Sequence, residues 1–423
     1  MGERLRFRYG RGVVEVDLRG ANVLPLPSMR SGRAVADVTS AVAAALAAPL
    51  GTPPLRELAC GRRDAVLLVP DRTRTTPLAQ MLPPVLPELE AGGLGPERVT
   101  IIVATGTHRP MTEGELHNHL GPDICSRFRV LNHDWWDEAN LIDLGQTPRG
   151  TPVVVNRLYY EADLKMALGS VKPHVVVGWG GGAKIVQPGV GGGATTGATH
   201  WASASYMGRE ITGRVETPIR HEIEAATDLS ELDFLLNGAS NPQGEMIGFC
   251  AGDFRRAFRH CVEMALAAND QLFTLDPPPE RADILLCGTA GMDMWNGGTA
   301  GMVTAEYLLK PGGTVVQFAP CSEGVARRHP EVARWGYRPY REVHTLVEAG
   351  EITDLVAAAH MVHSGRVLDE LGCRCILFSF SDGLSREEVE RLNLLWAPSP
   401  QAAVDLALEW QGAGTTVHAV GMV

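Results

Sequence analysis

The chain has 423 residues, of which 45% are hydrophobic and 21% are charged. This length exceeds one ordinary hydrophobic core, so it predicts two domains, and the composition is that of a globular protein. The formal net charge of −11 argues against nucleic acid as the main partner. An anionic ligand would therefore need a local cluster of cationic side chains.

The sequence gives no sign of export or of a membrane anchor. The first ten residues lack the apolar segment of a signal peptide, and no apolar run is long enough to cross a bilayer. The eight cysteines are scattered and form no C-x-x-C pair, which is typical of a reducing compartment. These features predict a cytoplasmic protein.

The first part of the chain alternates apolar strands with helices, after a predicted β-hairpin at residues 4–18. Strands are predicted at residues 64–69, 99–104 and 163–169. Residues 78–89 are predicted to be helical, although three prolines should kink or split this helix. The alternation predicts a mostly parallel sheet that is covered on both faces and binds ligands beyond the carboxyl ends of its strands.

A proline-rich linker at residues 276–280 precedes a second series of strands and helices. The predicted fold class is therefore α/β, with two α/β domains, mostly parallel sheets and an active-site cleft between the domains. The first domain is placed at residues 1–275 and the second at residues 281–398. Residues 400–423 are expected to return to the first domain and complete it.

Four polar side chains lie just past predicted strand ends, namely those of Asp71, Arg74, His108 and His174. Because the carboxyl ends of parallel strands meet at one edge of a sheet, these side chains are expected to converge on one crevice. Taken singly, Arg74 is equally compatible with an ion pair at a helix start, and His108 with a ring that caps a turn.

Residues 171–200 contain nine glycines around His174, Lys184 and His200. Glycine in such numbers costs backbone entropy, so such a loop usually lets the backbone approach something closely. The glycines beside Lys184 are accordingly expected to leave room for a nucleotide. A lysine in such a loop is otherwise typical of a phosphate contact.

Two common glycine-loop motifs fit this stretch poorly. Residues 178–183 match the dinucleotide pattern G-x-G-x-x-G/A, but Pro188 interrupts the helix that should follow, and the acidic residue expected about 20 positions later is missing. The P-loop pattern fails because Lys184 is followed by Ile185 and not by serine or threonine.

The stretch PHVVVGWGGGAKIVQPGVGG, closed by His200, resembles the signature of the lactate racemase family, the nickel-pincer nucleotide enzymes. The resemblance implies that Lys184 carries pyridinium-3-thioamide-5-thiocarboxylic acid mononucleotide covalently, through a thioamide. It implies that His200 binds the Ni²⁺ of this cofactor. Gly181, Gly182 and Asp71 are assigned to cofactor binding.

Two further segments resemble the family. PDRTRTTP contains Arg74, which the resemblance assigns to the substrate carboxylate, and a planar guanidinium suits this contact. ATGTHRP contains His108, which would form an acid/base pair with His174. The implied reaction is racemisation or epimerisation at C2 of a 2-hydroxy acid by transient hydride transfer to the cofactor. One histidine would remove the hydroxyl proton and the other would restore it.

The loop at residues 291–301 departs from the family, because it lacks the glutamine and the lysine that help at the substrate in lactate racemase. Trp295 is assigned to substrate binding, and with the methionines beside it is expected to offer an adaptable apolar surface. The expected substrate is larger than lactate, an apolar, aromatic or polyhydroxy acid rather than a diacid. His360 and His363 could geometrically share a metal on one helix face, and their role is left open.

The expected partners are a small 2-hydroxy acid and the proteins that synthesise the cofactor, while the oligomeric state is left open. Two other functions are compatible with the sequence. The first is an NAD-linked hydroxyacid dehydrogenase that uses residues 178–183. The second is a non-catalytic homologue that binds a ligand without turnover.

Overall fold

The computed structural model describes residues 4–26, 28–275, 278–379 and 383–423. The chain divides into two compact units. We call them the glycine-loop unit, with bounds Met29–Ala202 and Ile211–Gln271, and the C-terminal unit, with bounds Met1–Ser28, Ser203–Glu210 and Leu272–Val423. Residues 276 and 277 of the predicted linker lie outside the described residues.

The strands are named in chain order. They are β1 (Arg4–Tyr9), β2 (Gly12–Asp17), β3 (Asn22–Val23), β4 (Ala65–Pro70), β5 (Val99–Ala104), β6 (Arg129–Asn132), β7 (Leu141–Gln146), β8 (Pro152–Asn156), β9 (Leu164–Val171), β10 (Pro173–His174), β11 (Gly178–Trp179), β12 (Phe234–Ser240), β13 (Met246–Gly252), β14 (Ala282–Gly288), β15 (Leu309–Phe318), β16 (Arg374–Phe378), β17 (Leu395–Trp396) and β18 (Thr416–Val420).

The α-helices follow the same convention. They are α1 (Val38–Ala47), α2 (Leu55–Ala59), α3 (Leu78–Ala91), α4 (Glu113–Leu120), α5 (Pro122–Arg127), α6 (Arg157–Glu161), α7 (Gly193–Ser203), α8 (Gly208–Ile211), α9 (Pro218–Ser230), α10 (Phe254–Ala268), α11 (Ala300–Leu308), α12 (Pro330–Trp335), α13 (Tyr340–Glu348), α14 (Leu355–Asp369), α15 (Arg386–Arg391) and α16 (Pro400–Gln411). Shorter helical turns lie at Pro96–Arg98, Glu138–Asn140, Gly182–Ile185, Leu272–Thr274 and Met294–Gly298.

The glycine-loop unit is built on a six-stranded sheet with the order β13-β12-β9-β4-β5-β6. All neighbouring strands are parallel except β12 and β13. Strand β4 is buried along its whole length, as a central strand covered on both faces must be. The carboxyl ends of β4, β5 and β9 therefore lie at the same edge of the sheet.

Helix α3 differs from its prediction, because it runs unbroken through Pro83, Pro84 and Pro87. The missing backbone donors are accommodated because the three rings lie away from the buried stripe and the opposite face is firmly packed. Six side chains of that face are buried in the core, namely Leu78, Met81, Leu82, Val85, Leu86 and Leu89. Tertiary packing thus outweighs the low helix propensity of proline here.

The C-terminal unit is built on a parallel six-stranded sheet with the order β17-β16-β15-β14-β18-β3. Strand β18 lies between β14 and β3. Residues 400–423, which contain α16 and β18, therefore belong to the C-terminal unit, contrary to the expectation that they complete the first domain. The N-terminal hairpin of β1 and β2 also lies here, with the ring of Phe7 centred 5.1 Å from that of Phe318. The apolar sides of these elements pack into the same core, and the burial of this apolar surface explains why β1, β2, α16 and β18 all pack there.

The two mostly parallel sheets confirm the predicted α/β class. Within the described ranges, none of the helices is long and apolar enough to cross a membrane.

Candidate active site

An Asp–His pair lies at the carboxyl ends of β4 and β5. Asp71 follows β4 directly, and its Oδ2 lies 2.7 Å from Nδ1 of His108. The other carboxylate oxygen accepts hydrogen bonds from the backbone N–H and the hydroxyl of Thr73. Burial opposes ionisation of Asp71, but His108 and Arg74 outweigh it and hold the pKa of this carboxyl well below its usual range.

The ionised Asp71 determines the tautomer of His108. A carboxylate can only accept, so Nδ1 of His108 carries the proton that it donates to Asp71. In the neutral ring the lone pair is then on Nε2. His108 is thereby arranged as a base whose protonated form Asp71 would stabilise, as in hydrolase triads.

His174 has the opposite tautomer. It ends β10, and its Nδ1 accepts a hydrogen bond of 3.2 Å from the backbone N–H of Val176. The neutral ring therefore carries its proton on Nε2. Loss of hydration, followed by the nearby cations Lys184 and Arg74, lowers the pKa of His174 well below 6.5. The ring is thus neutral at pH 7 and presents an N–H donor.

Lys184 lies in the helical turn Gly182–Ile185, where its backbone N–H bonds to the carbonyl of Gly181 at 3.3 Å. Loss of hydration lowers the pKa of Lys184 well below 10.5, and Arg74 and Arg220 lower it further, while Asp71 acts in the opposite sense. An amine in this environment is uncharged for a larger fraction of the time, and only an uncharged amine is a nucleophile.

The glycines near Lys184 do not leave the open volume that the sequence suggested. A Cβ atom at Gly181 would lie 2.7 Å from the amide of Asn237, and one at Gly182 would lie 2.8 Å from the ring of Phe258. Both glycines have positive φ, +79° and +61°, which side-chain-bearing residues rarely adopt. They let the chain pack closely on itself and shape the turn of Lys184, and their assignment to cofactor binding stays a prediction.

His200 lies on α7, one helical turn after Thr196. Its Nδ1 donates to the carbonyl of Thr196 at 2.9 Å, which assigns the lone pair of the neutral ring to Nε2. Histidines that bind metals usually make such a bond with their other nitrogen. In the described part of the chain no group of three or more histidine, cysteine, aspartate or glutamate side chains could hold a metal.

The dinucleotide-binding alternative finds no support in the local backbone. Residues 178–179 form a two-stranded antiparallel pair with β10 instead of continuing the central sheet. The residues that follow form the short turn Gly182–Ile185, and the next α-helix begins only at Gly193. A dinucleotide site needs a helix that opens directly at the glycines.

Trp295, assigned to substrate binding from the composition of the 291–301 loop, lies in the C-terminal unit between two imidazoles. The rings of His329 and His360 are each centred 4.2 Å from the indole and are nearly parallel to it. Nδ1 of His329 bonds to Asp354 at 2.6 Å, which fixes that side of the stack. Trp295 therefore presents an edge and not a face, and the expected adaptable apolar surface is replaced by a rigid one.

Other residues of the 291–301 loop are also engaged in its own structure. Met294 is fully buried, whereas Met292 is exposed. Asp293 accepts a hydrogen bond from the backbone N–H of Asn296 at 2.5 Å. His363 bonds through Nε2 to the hydroxyl of Ser203 at 2.8 Å.

Sequence reasoning missed Arg220, which is fully buried below the glycine loop. A signal was present, because Arg220 falls in the i, i+3, i+7 stripe of α9 with Ile223 and Thr227, both also buried. An arginine in the apolar stripe of a helix needs buried acceptors. Here the acceptors are backbone carbonyls of the glycine loop.

These features define an α/β protein in which the candidate site residues His108, His174, Lys184 and His200 lie in loops, a short strand and helices beyond parallel strands. A family model described as lactate racemase N-terminal domain matches residues 9–211. This match confirms the predicted resemblance to the lactate racemase family over the N-terminal part of the chain.

Two curated relatives are named lactate racemase. The one from Lactiplantibacillus plantarum is 29% identical over 281 residues, which cover 65% of this chain and 64% of the relative. The one from Thermoanaerobacterium thermosaccharolyticum is 27% identical over 326 residues, or 76% of this chain and 75% of the relative. The match thus spans just under two thirds of the first of these proteins.

Two solved structures share the fold. The lactate racemase apoprotein from Thermoanaerobacterium thermosaccharolyticum has a TM-score of 0.82 at 23% identity, and the match covers 99% of this chain and 98% of that one. A protein from Thermotoga maritima has a TM-score of 0.69 at 22% identity, with 88% and 97% covered.

Proposed function

We propose that the protein is an isomerase, a racemase or epimerase that inverts C2 of a 2-hydroxy acid with a nickel-pincer nucleotide attached to Lys184. The observation that carries the proposal is the opposite tautomers of His108 and His174, one presenting a lone pair and the other an N–H. In a hydride-transfer racemase the hydroxyl proton leaves on one side of the substrate and is returned from the other, and two differently protonated imidazoles suit this exchange.

The residues present fit the cofactor that the family implies. Lys184 offers an amine with a lowered pKa, and His200 has the Nδ1–carbonyl bond typical of a metal-binding imidazole. Imidazole is a suitable ligand for Ni²⁺. When bound, the nucleotide supplies a reversible hydride acceptor. Proteins that synthesise the cofactor are accordingly proposed as partners.

The chain's own residues would perform the remaining tasks. Arg74 is exposed and carries the planar fork that holds a carboxylate in one orientation. Nε2 of His108 takes the hydroxyl proton, and Asp71 stabilises the resulting imidazolium. The bound carboxylate adds negative charge near His174, which favours protonation of His174 and lets it return a proton to the oxygen on the other side.

The proposed substrate is larger than lactate, because the 291–301 loop lacks the glutamine and lysine found in the family. The indole of Trp295 is already stacked on both faces, so it cannot stack on an aromatic substrate. Asp293 would repel a second carboxylate if it approached one. These contacts favour a polyhydroxy acid over an aromatic or dicarboxylic one.

The test uses protein produced together with the cofactor-synthesis proteins and a panel of 2-hydroxy acids deuterated at C2. We expect one acid to change chirality and to keep its deuterium in ordinary water, with stoichiometric nickel in the protein. Washout of the label would indicate an enolate mechanism instead. Consumption of NAD would identify a dehydrogenase, and binding without stereochemical change would identify a non-catalytic homologue.

A further inference from the structure

The glycine loop rests on a buried cation that the proposed chemistry does not use. Arg220 is 0% exposed and lies near the start of α9, where its backbone N–H bonds to the hydroxyl of Thr217. Its Nη1 donates to the carbonyl of Gly181 at 3.3 Å, and its Nη2 donates to the carbonyl of Trp179. The two carbonyls lie three and five residues before Lys184.

An aromatic ring fixes the guanidinium from another side. The Cζ atom of Arg220 lies 4.2 Å from the centre of the Phe258 ring, within the range of a cation–π contact. The same ring lies against Gly182, where a Cβ atom would approach it to 2.8 Å. Phe258 thus packs on both the arginine and the turn, and neither can shift without the other.

The charge of Arg220 is permanent at neutral pH. Burial lowers the pKa of Arg220 to about 10, and Glu224 acts in the opposite sense. Glu224 is itself bonded to Arg255 at 3.1 Å and lies 3.4 Å from Arg259, so its charge is shared. A full positive charge therefore lies below the loop in a poorly hydrated region, where charges act over longer distances than in water.

We propose that Arg220 is a positioning residue for Lys184, which holds the turn through the carbonyls of Trp179 and Gly181 and whose fixed charge opposes protonation of the amine. This inference rests on the proposed function for its biological meaning, since an uncharged amine is what attachment of the cofactor requires. The charged and titratable groups that act on Lys184 are Arg74, Arg220 and Asp71, and His174 lies close enough to respond to Lys184. Of these, Arg220 also donates through its side chain to two backbone carbonyls of the loop.

The test measures the reactivity of Lys184 in the full-length protein without cofactor. The protein is labelled briefly with acetic anhydride at a series of pH values, and the labelled fraction of the Lys184 peptide is read by mass spectrometry. In wild-type protein we expect labelling to titrate well below an ordinary lysine. In Arg220→Gln, which keeps amide donors but removes the charge, we expect the midpoint to rise by at least about one pH unit, or roughly tenfold less reactive amine at pH 7.

Two further variants separate charge, backbone contacts and folding. Arg220→Lys keeps the charge but loses the planar fork, so it should restore the low midpoint. Arg127→Met removes another arginine that stacks on an aromatic ring, that of Phe128, and should leave Lys184 unaltered. Circular dichroism confirms that each variant is folded.

An unchanged midpoint in Arg220→Gln, or an ordinary lysine midpoint in the wild type, would overturn the inference. If Arg220→Gln does not fold, the comparison of Arg220→Lys with the wild type decides, because a raised midpoint in a variant that keeps the charge contradicts the proposal. The labelling requires no cofactor. A protein that shows the expected midpoints yet never acquires an adduct would therefore refute the proposed function and leave the role of Arg220 standing.

Discussion

The glycine loop at residues 171–200 and the loop at residues 291–301 use their side chains in opposite ways. The first carries His174, Lys184 and His200 on a tightly packed glycine backbone, and hydrogen bonds to the main chain assign the tautomers of its two histidines. The second turns its chemistry inward, with Trp295 closed between two imidazoles. The difference favours the proposal that the residues assigned to the cofactor keep their role, while Trp295 has a structural one.

The largest expected effect concerns Lys184. Lys184→Ala should abolish the covalent adduct in protein made with the cofactor-synthesis proteins, because it removes the amine to which the nucleotide is proposed to attach. Lys172→Ala is the matched control, since Lys172 is an exposed lysine of the same stretch. Intact mass and peptide mapping provide the measurement. An undiminished adduct in Lys184→Ala would show that the cofactor is not attached to Lys184.

His108 should give the next largest effect. His108→Ala should lower the turnover rate by about 10²–10⁴, the usual cost of losing a positioned base. Asp71→Asn should lower it by a similar factor, because the amide oxygen stays with the donors of Thr73 and its NH2 group then faces Nδ1 of His108, which moves the ring proton to Nε2. The exposed His117 lies nearby in sequence, and His117→Ala should keep the wild-type rate. Equal rates in His108→Ala and His117→Ala would make His108 a structural residue.

Trp295 should affect stability and substrate use but not cofactor attachment. Trp295→Ala empties the space between His329 and His360. The free energy of unfolding should fall by an amount at the lower end of the roughly 3–5 kcal/mol typical of such changes, since the side chain is partly exposed. Urea unfolding measures the cost, with the half-exposed Trp136→Ala as a control. Loss of the Lys184 adduct in a folded Trp295→Ala protein would show that the two loops are not independent.

The smallest expected effect is an acid sensitivity of the Trp295 stack. Burial lowers the pKa of His360 to about 3, so the unfolded chain binds a proton between about pH 6.5 and 3 that the folded chain excludes. Stability linked to His360 is therefore complete above about pH 6.5 and declines as the pH falls. His360→Phe keeps a ring beside Trp295, so its melting temperature should fall less between pH 7 and 4 than that of the wild type. His344→Phe, at a more exposed histidine, should behave like the wild type, and parallel curves for all three proteins would contradict this reasoning.

The sequence was sufficient for the central strands β4, β5 and β9 and for the position of Asp71 and His108 beyond their ends, because both depend on local signals, apolar runs and the polar residues that follow them, but it did not predict the bond between these two side chains. It was insufficient for helix α3, whose prolines are tolerated only because of packing by distant residues. The stack on Trp295 could not be predicted either, since its partners His329 and His360 lie far along the chain and carry no spacing that identifies them. Arg220 could have been suspected from its helical stripe, but its carbonyl partners depend on how the glycine loop folds.

The pairing of β3 with β18 has a consequence for the order of events during synthesis. Asn22 and Val23 pair with Thr416 and Val417, so the C-terminal sheet cannot close until nearly the whole chain has left the ribosome. Every strand of the main sheet in the glycine-loop unit lies between Ala65 and Gly252, and this sheet can form much earlier. Ribosome-bound chains arrested shortly after residue 300 should therefore contain a protease-resistant glycine-loop unit and a protease-sensitive N-terminal hairpin. If both segments are protease-resistant at that length, the N-terminal hairpin becomes structured before β18 has been synthesised.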